Sequence, residues 1–199
     1  MFEIVKTLKQ QKKFQETWEN VCKQNGWVND PYAKDGVRYN LLAQARFPFL
    51  AKNVIGTIEF TPYDPANPNS TVEGPERSKF SIYEDILQHQ SRTWEIDKLC
   101  LQEGYQRKGY FPQFLNILHD HAVTYSPKYY IALIEKKFYR MLKITYGVAI
   151  EQRGEPLKGP GTSLIPMVFD VEKVMADAGT VERLLREAGE GHRPLRKNG

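Results

Sequence analysis

Two carboxylates and a glycine turn are the residues of this chain best placed by type and spacing to do chemistry. Glu95 and Asp97 stand two residues apart in Trp94-Glu95-Ile96-Asp97-Lys98-Leu99-Cys100-Leu101, and Gln106-Arg107-Lys108-Gly109-Tyr110-Phe111 follows shortly after. Residues two apart on a regular strand share a face, so both carboxylates can be presented to one substrate. Burial beside Trp94 would raise a carboxylate's pKa toward that of a working general base. The turn suits an anion. Amides around Arg107 to Phe111 would point outward at the start of a helix, and the helix dipole and the adjacent Arg107 and Lys108 add positive potential. A lone glycine in such a turn also serves plain chain reversal, so the turn by itself fixes no function.

The elements around these residues alternate between strand and helix. Phe2 to Lys6 reads as a short strand. Leu8 to Lys23 reads as a helix with Phe14, Trp18 and Cys22 on one stripe, ended by Asn25-Gly26. Val37 to Phe47 and Asn53 to Thr61 form two antiparallel strands joined by a loop near Phe47-Pro48 to Lys52. Asp64 to Ser70 is too rich in turn formers to be anything but loop, and the loop running from Pro62 to about Lys79 has a length often tied to function and equally open to an insertion without one. Ser81 and Glu84 have the spacing of a capping box for a short helix reaching Leu87. After the carboxylate strand, the apolar positions Phe111, Phe114, Leu115, Leu118 and Ala122 switch to helical spacing, with Pro112 in the first turn. Lys128 to Ile134 is then a strand, and Lys136 to Tyr146 a helix with Phe138, Met141, Leu142 and Thr145 inward, closed by Gly147. Val148 to Gln152 and Leu164 to Asp170 are strands flanking a Gly/Pro-rich excursion, Arg153 to Thr162. Val171 to Ala188 is helical in pattern, interrupted at Gly179-Thr180.

Length and composition fit one domain. At 199 residues, with 41% hydrophobic and 26% charged side chains, the chain can bury a substantial core. No apolar run is long enough to span a membrane, and the N-terminus lacks the basic-then-apolar order of a signal peptide, so a cytoplasmic location is expected. The net charge of +4 is mild and no basic stripe is concentrated enough for nucleic acid. The Gln10-Gln11-Lys12-Lys13 and His192-Arg193-Pro194-Leu195-Arg196-Lys197 runs read as solvated surface and a frayed end. Cys22 and Cys100 have no metal or redox spacing and read as reduced, inert core thiols. His119 and His121 lie two apart on a helix and point to different sides, and His89 and His192 are isolated, so no metal site is expected. No pattern encodes oligomeric state, which leaves a homodimer open.

Gln106-Arg107-Lys108-Gly109-Tyr110 resembles the Gln/Arg-x-x-Gly-x-Gly/Ala signature of the GNAT superfamily of N-acetyltransferases, in its setting between strand and helix as well as in its letters. Glu95 lies eleven residues before Gln106, a spacing that resembles that of the strand glutamate in histone-type members. Phe111 departs from the family, which has a small residue there. The resemblance runs from about Phe2 to Asp170. It implies an α/β (α+β) fold with a mixed, mostly antiparallel central sheet flanked by helices over residues 1–170, and makes residues 171–199 a helical extension and basic tail of the same domain. A second likeness, to acyl-homoserine-lactone synthases and N-acyl amino acid synthases, rests on Asn25-Gly26-Trp27, Val54-Ile55-Gly56-Thr57 and Trp94-Glu95-Ile96-Asp97-Lys98-Leu99. Glu59 and Lys98 replace two synthase arginines, which disfavours lactone formation from S-adenosylmethionine.

The resemblance implies an acetyl-CoA or other acyl-CoA donor, or alternatively an acyl carrier protein thioester, and a small-molecule amine acceptor. Direct attack on a thioester needs a neutral amine, a donor to the tetrahedral oxyanion and a proton for the departing thiolate. Glu95 is the first candidate for base or water-orienting group, and Asp97 the second. A strand amide near Leu99, Cys100 or Leu101 would serve the oxyanion, and Gln106, Arg107, Lys108, Gly109, Tyr110 and Phe111 would hold the donor. Where the superfamily often has a tyrosine as acid, this chain has Lys143. Tyr139 is then the candidate acid, with Tyr146 behind it. Phe80, Tyr83, Phe111, Phe138 and Tyr139 fit either an acyl pocket or ordinary core packing. The Trp27 to Val37, Pro62 to Lys79 and Arg153 to Thr162 segments would set acceptor choice.

Overall fold

Thr7 begins the first helix by a reciprocal capping box. Its hydroxyl accepts from the Gln10 amide while the Gln10 side chain accepts from the Thr7 amide. The computed structural model describes residues 1–43, 53–159 and 161–190. The end of the strand expected to reach Phe47, the loop to Lys52, Pro160 and the basic tail lie outside the described residues. The elements are β1 (Phe2–Ile4), α1 (Leu8–Asn25), β2 (Val37–Leu42), β3 (Val54–Pro62), α2 (Glu84–Gln88), β4 (Thr93–Leu101), α3 (Gln113–Tyr125), β5 (Tyr129–Glu135), α4 (Lys136–Tyr146), β6 (Ile150–Gln152), β7 (Leu157–Gly159), β8 (Thr162–Asp170), α5 (Val171–Met175) and α6 (Ala178–Glu190).

Among the described residues the strands form one mixed sheet in the order β1-β2-β3-β4-β5-β8-β6, with β7 paired to β8. Every pairing is antiparallel except β4 with β5. That parallel pair follows from α3, which carries the chain back across the sheet between the two strands. Phe14, Trp18 and Cys22 are buried as the α1 stripe requires, and Gly26 ends the helix in the left-handed region at φ 66°. The main core lies on the opposite face of the sheet, where Ile58, Phe60, Phe114, Ile117, Met167 and Phe169 pack together.

Four local expectations are corrected. Ser81 does not cap α2, whose N-cap is Tyr83; the Ser81 hydroxyl instead donates to Glu73 across the loop at 2.5 Å. Helix α3 starts at Gln113, so Pro112 is its N-cap residue and Phe111 lies before it. The excursion after Arg153 contains β7. The C-terminal helical stretch breaks at Ala176-Asp177, because Asp177 accepts from the Thr180 amide and hydroxyl and so opens α6. Among the described residues no helix is long and apolar enough to cross a membrane.

Candidate active site

Strand β4 builds the site by breaking regularity twice. Thr57 of β3 pairs with Cys100 and Glu59 with Asp97, so Lys98 and Leu99 together face the single residue between them, a β-bulge. Lys98 sits there with φ 49°, a conformation costly for a side chain with a β-carbon. Ion pairing compensates. The buried ammonium lies 2.6 Å from Asp97 Oδ2, 3.1 Å from Glu59 Oε2 and 3.3 Å from the Pro31 carbonyl. Burial acts to lower its pKa, but Asp97 and Glu59 outweigh it and the pKa stands above the usual lysine value. Arg38 donates to the other oxygen of Glu59 at 2.6 Å and also to the Ala33 carbonyl. Asp97 is therefore tied to Lys98, whereas Glu95 is not.

Glu95 is 1% exposed and held by the long loop. The Ser70 hydroxyl donates to Oε1 at 2.8 Å, and the Thr71 amide and hydroxyl donate to Oε2 at 3.0 and 3.3 Å. Burial pushes its pKa up to about 7 against the pull of those hydrogen bonds. Arg77 braces the loop, donating to the Thr71 carbonyl at 2.6 Å and to Asp30 at 2.8 Å. It thereby links the Pro62–Lys79 loop to the one that follows Trp27.

The second irregularity is a divergence of strands. β4 and β5 pair only at Thr93–Tyr129, Trp94–Tyr130 and Glu95–Ile131, yet β4 runs on to Leu101 and β5 to Glu135. Beyond Glu95 the strands part, which leaves backbone groups on that edge of β4 without a partner strand. A small apolar cavity of about 20 Å³ lies here between the face of the sheet and helices α3 and α4. Ile96 and Leu99 of β4 form one wall and Ala132 and Ile134 of β5 another. Phe111, Phe114 and Leu118 close it on one side and Phe138 and Leu142 of α4 on the other.

The glycine turn stands beside this cleft. Gln106 to Gly109 are exposed, and Arg107 and Gly109 are both left-handed, with φ 58° and 75°. Alternating backbone hands of this kind turn successive amides toward one point, as in an anion nest. Gln106 donates its side-chain amide to the Leu101 carbonyl at 3.0 Å, which fixes the turn to the end of β4. Phe111 packs edge-on against Phe138 at 5.2 Å and so narrows the cleft from within.

No family model matches the sequence, and no curated protein matches it. Solved structures match along most of the chain. BjaI, a CoA-dependent acyl-homoserine lactone synthase solved with SAM and isopentyl-CoA, superimposes with a TM-score of 0.64 at 12% identity, over 95% of this chain and 89% of its own. FeeM, an N-acyl amino acid synthase from uncultured soil microbes, gives 0.62 at 10% identity, over 87% and 91%. Spermidine N-acetyltransferase from Vibrio cholerae, solved with CoA and spermine, gives 0.50 at 12%, over 84% and 94%. The chain has the GNAT fold.

On this GNAT scaffold the candidate residues divide into groups. Glu95, Asp97, Leu99, Cys100 and Leu101 lie along β4, and Gln106 to Gly109 form the exposed turn that leads through Tyr110 to Phe111 in the cavity wall. Tyr139 is half-buried against the main core and is not part of the cavity wall; Tyr146 lines a different cavity, and burial raises its pKa. Of the aromatics expected at an acyl pocket, Phe111 and Phe138 line the cleft. Phe80 is buried in a separate cluster with Tyr63 and Ile86, and Tyr83 packs beside it. Burial pushes the thiols of Cys22 and Cys100 up to about 12 and about 11, so both are unreactive at neutral pH. Among the described residues no cluster of His, Cys, Asp and Glu is placed to hold a metal ion.

Sequence reasoning missed the Ser70–Thr71 cap on Glu95, the left-handed Lys98 and the burial of His121. Nothing local marks the first two. His121 was findable, since it continues the Phe114, Ile117 stripe of α3. It stacks on Phe60 at 3.9 Å, its Nδ1 lies 2.8 Å from the Tyr130 hydroxyl, and burial pushes its pKa down to about 3.

Proposed function

We propose that this chain is an N-acyltransferase that moves an acetyl or other acyl group from a coenzyme A thioester to a primary amine by direct attack. The observation that carries the reading is the parting of β4 and β5 after Glu95, with a small apolar cavity against the sheet there and a turn, left-handed at Arg107 and Gly109, that leads into Phe111 of the cavity wall. The turn and the N-terminus of α3 would hold the donor's pyrophosphate. The amide-bearing thioester arm would lie along the unpartnered edge of β4, and the acyl group would enter the cavity. The acceptor nitrogen attacks the thioester carbonyl, a β4 amide near Leu99 to Leu101 stabilises the oxyanion, and the carbon–sulfur bond then breaks. Glu95 takes the amine proton directly or through water, because it is the unpaired carboxylate of the strand and its pKa lies near neutrality. Asp97 is the second candidate. The departing thiolate takes a proton from Tyr139 or from water at the cleft mouth.

The wholly apolar wall supports a second reading, transfer of a longer acyl chain from an acyl carrier protein to a small amine. Thiol release from acetyl-CoA, measured with and without a panel of primary amines, tests the first reading. Turnover with acyl carrier protein alone would move the assignment to the second. Coenzyme A binding with no amine-dependent release from either donor would overturn both and leave a non-catalytic acyl-CoA-binding protein.

A further inference from the structure

Helix α4 carries four cations and no acid. Lys136, Lys137, Arg140 and Lys143 match within this one helix the net charge of the whole chain, +4. The helix has two distinct faces. Leu142 is buried in the main core, and Phe138, Tyr139 and Tyr146 pack against that core. Lys137, Arg140 and Ile144 stand at i, i+3 and i+7, so they share the outer face, with Lys136 one turn before Arg140. All four are exposed.

This outer face has no partner within the protein. Lys143 is tied down, its ammonium donating to the Ile150 carbonyl at 2.6 Å. Among the described residues no acid pairs with Lys136, Lys137 or Arg140. Beside these cations two aliphatic side chains stand in water: Ile144 is 86% exposed, and Val148, just past the helix, is 68% exposed. Neither the cleft cavity nor the one lined by Tyr146 has any of these residues in its wall.

We infer that the outer face of α4 docks the protein reversibly on an anionic lipid surface, with Lys136, Lys137 and Arg140 against the headgroups and Ile144 and Val148 in the interfacial layer. The charge selects an anionic partner, and the shape selects a bilayer. A protein partner would need a matching hollow for each protruding aliphatic side chain, whereas a headgroup layer admits them anywhere on its surface. Each cation held near such a surface strengthens binding by roughly fivefold, and each methylene taken from water by about fourfold. With so few contacts the association is weak and falls as salt screens the cations. The inference stands independently of the acyltransferase reading, since no residue of α4's outer face belongs to the cleft.

The test is co-sedimentation of the full chain with vesicles of phosphatidylcholine alone and of phosphatidylcholine mixed equally with phosphatidylglycerol. Binding to the mixed vesicles only, weakening as salt is added, is the expected result. Lys137→Gln combined with Arg140→Gln should reduce the affinity by at least about tenfold. Ile144→Ser should reduce it by about fivefold or more at every salt concentration, which adsorption by charge alone does not produce. Val148→Ser gives the same reading if the first serine variant does not fold. No binding to the mixed vesicles at low salt, or an affinity unmoved in the folded charge or serine variants, would overturn the docking face. Release from the vesicles by coenzyme A would also overturn it, by giving these cations to the donor's phosphates. Binding of an acidic carrier protein, lost in the same variants and unaccompanied by vesicle binding, would give the face to a protein instead.

Discussion

The Ser70 hydroxyl reaches the Glu95 carboxylate at 2.8 Å across 25 residues of sequence. With Thr71 it makes the long loop part of the site, because those hydrogen bonds decide how far burial can raise the Glu95 pKa. The outcome, about 7, lets Glu95 exist in both protonation states near neutrality. If Glu95 is the base, kcat at saturating amine rises with pH through about 7. Glu95→Gln should lower kcat by roughly a hundredfold or more and remove that rise. A pH profile unchanged in the variant would move the proton transfer to another group.

The same carboxyl has a stability signature of opposite sign to that of an ordinary ion-paired acid. Its folded pKa lies above its unfolded value of 4.5, so the folded state holds the proton more tightly. Its contribution to stability is complete below pH 4.5 and is lost as pH rises through about 7. Denaturant titrations of the parent protein and of Glu95→Gln should therefore diverge across that window, the variant lacking this part of the decline. Parallel stability–pH curves would show that Glu95 is not raised.

The strand, turn and helix from Trp94 to Ala122 were legible in the sequence because their signals are local: alternation along β4, a glycine at the turn, and helical spacing after it. The rest of the site is built from long-range contacts. Lys98 is left-handed within a bulge set by pairing to β3, and besides its neighbour Asp97 its ammonium is received by Glu59, 39 residues earlier, and by Pro31, contacts that no local pattern announces. Strand β7 escaped notice because three residues in a Gly/Pro-rich stretch carry no periodicity; its partner is Thr162–Leu164 across a turn with Gly161 at φ 67°.

Gly109 separates backbone hand from charge. At φ 75°, asparagine and aspartate tolerate the conformation about equally among residues with side chains, but only aspartate brings an anion to the turn. Gly109→Asp should weaken coenzyme A binding by at least about tenfold relative to Gly109→Asn, because a charge is set against the donor phosphates. Calorimetry on the two folded variants checks this. Equal affinities would mean that the phosphates lie elsewhere.

The Glu59–Lys98 pair is 1% exposed on both sides, and Arg38 shares the same carboxylate. Removing the acid alone leaves the buried Arg38 guanidinium without a carboxylate and Lys98 with Asp97 as its one remaining acid. Glu59→Gln should therefore cost about 3 to 5 kcal/mol in equilibrium unfolding, well beyond the effect of an exposed ion pair such as Lys12–Glu16. A loss under about 1 kcal/mol would show that water reaches the cluster.

Arg77 acts on Glu95 at one remove. It donates to the carbonyl of Thr71, whose amide and hydroxyl bind the carboxylate, and its other end is held by Asp30. Arg77→Met keeps the apolar stem and removes both contacts, so the loop loosens and water gains access to Glu95. Desolvation is the largest cause of the raised pKa, so its relief outweighs the loss of the Thr71 hydrogen bonds and the pKa falls toward the ordinary carboxylate range. The midpoint of the pH–kcat profile should move down by about half a pH unit or more, a shift that general destabilisation does not produce. A lower plateau with an unmoved midpoint would confine Arg77 to holding the two loops together.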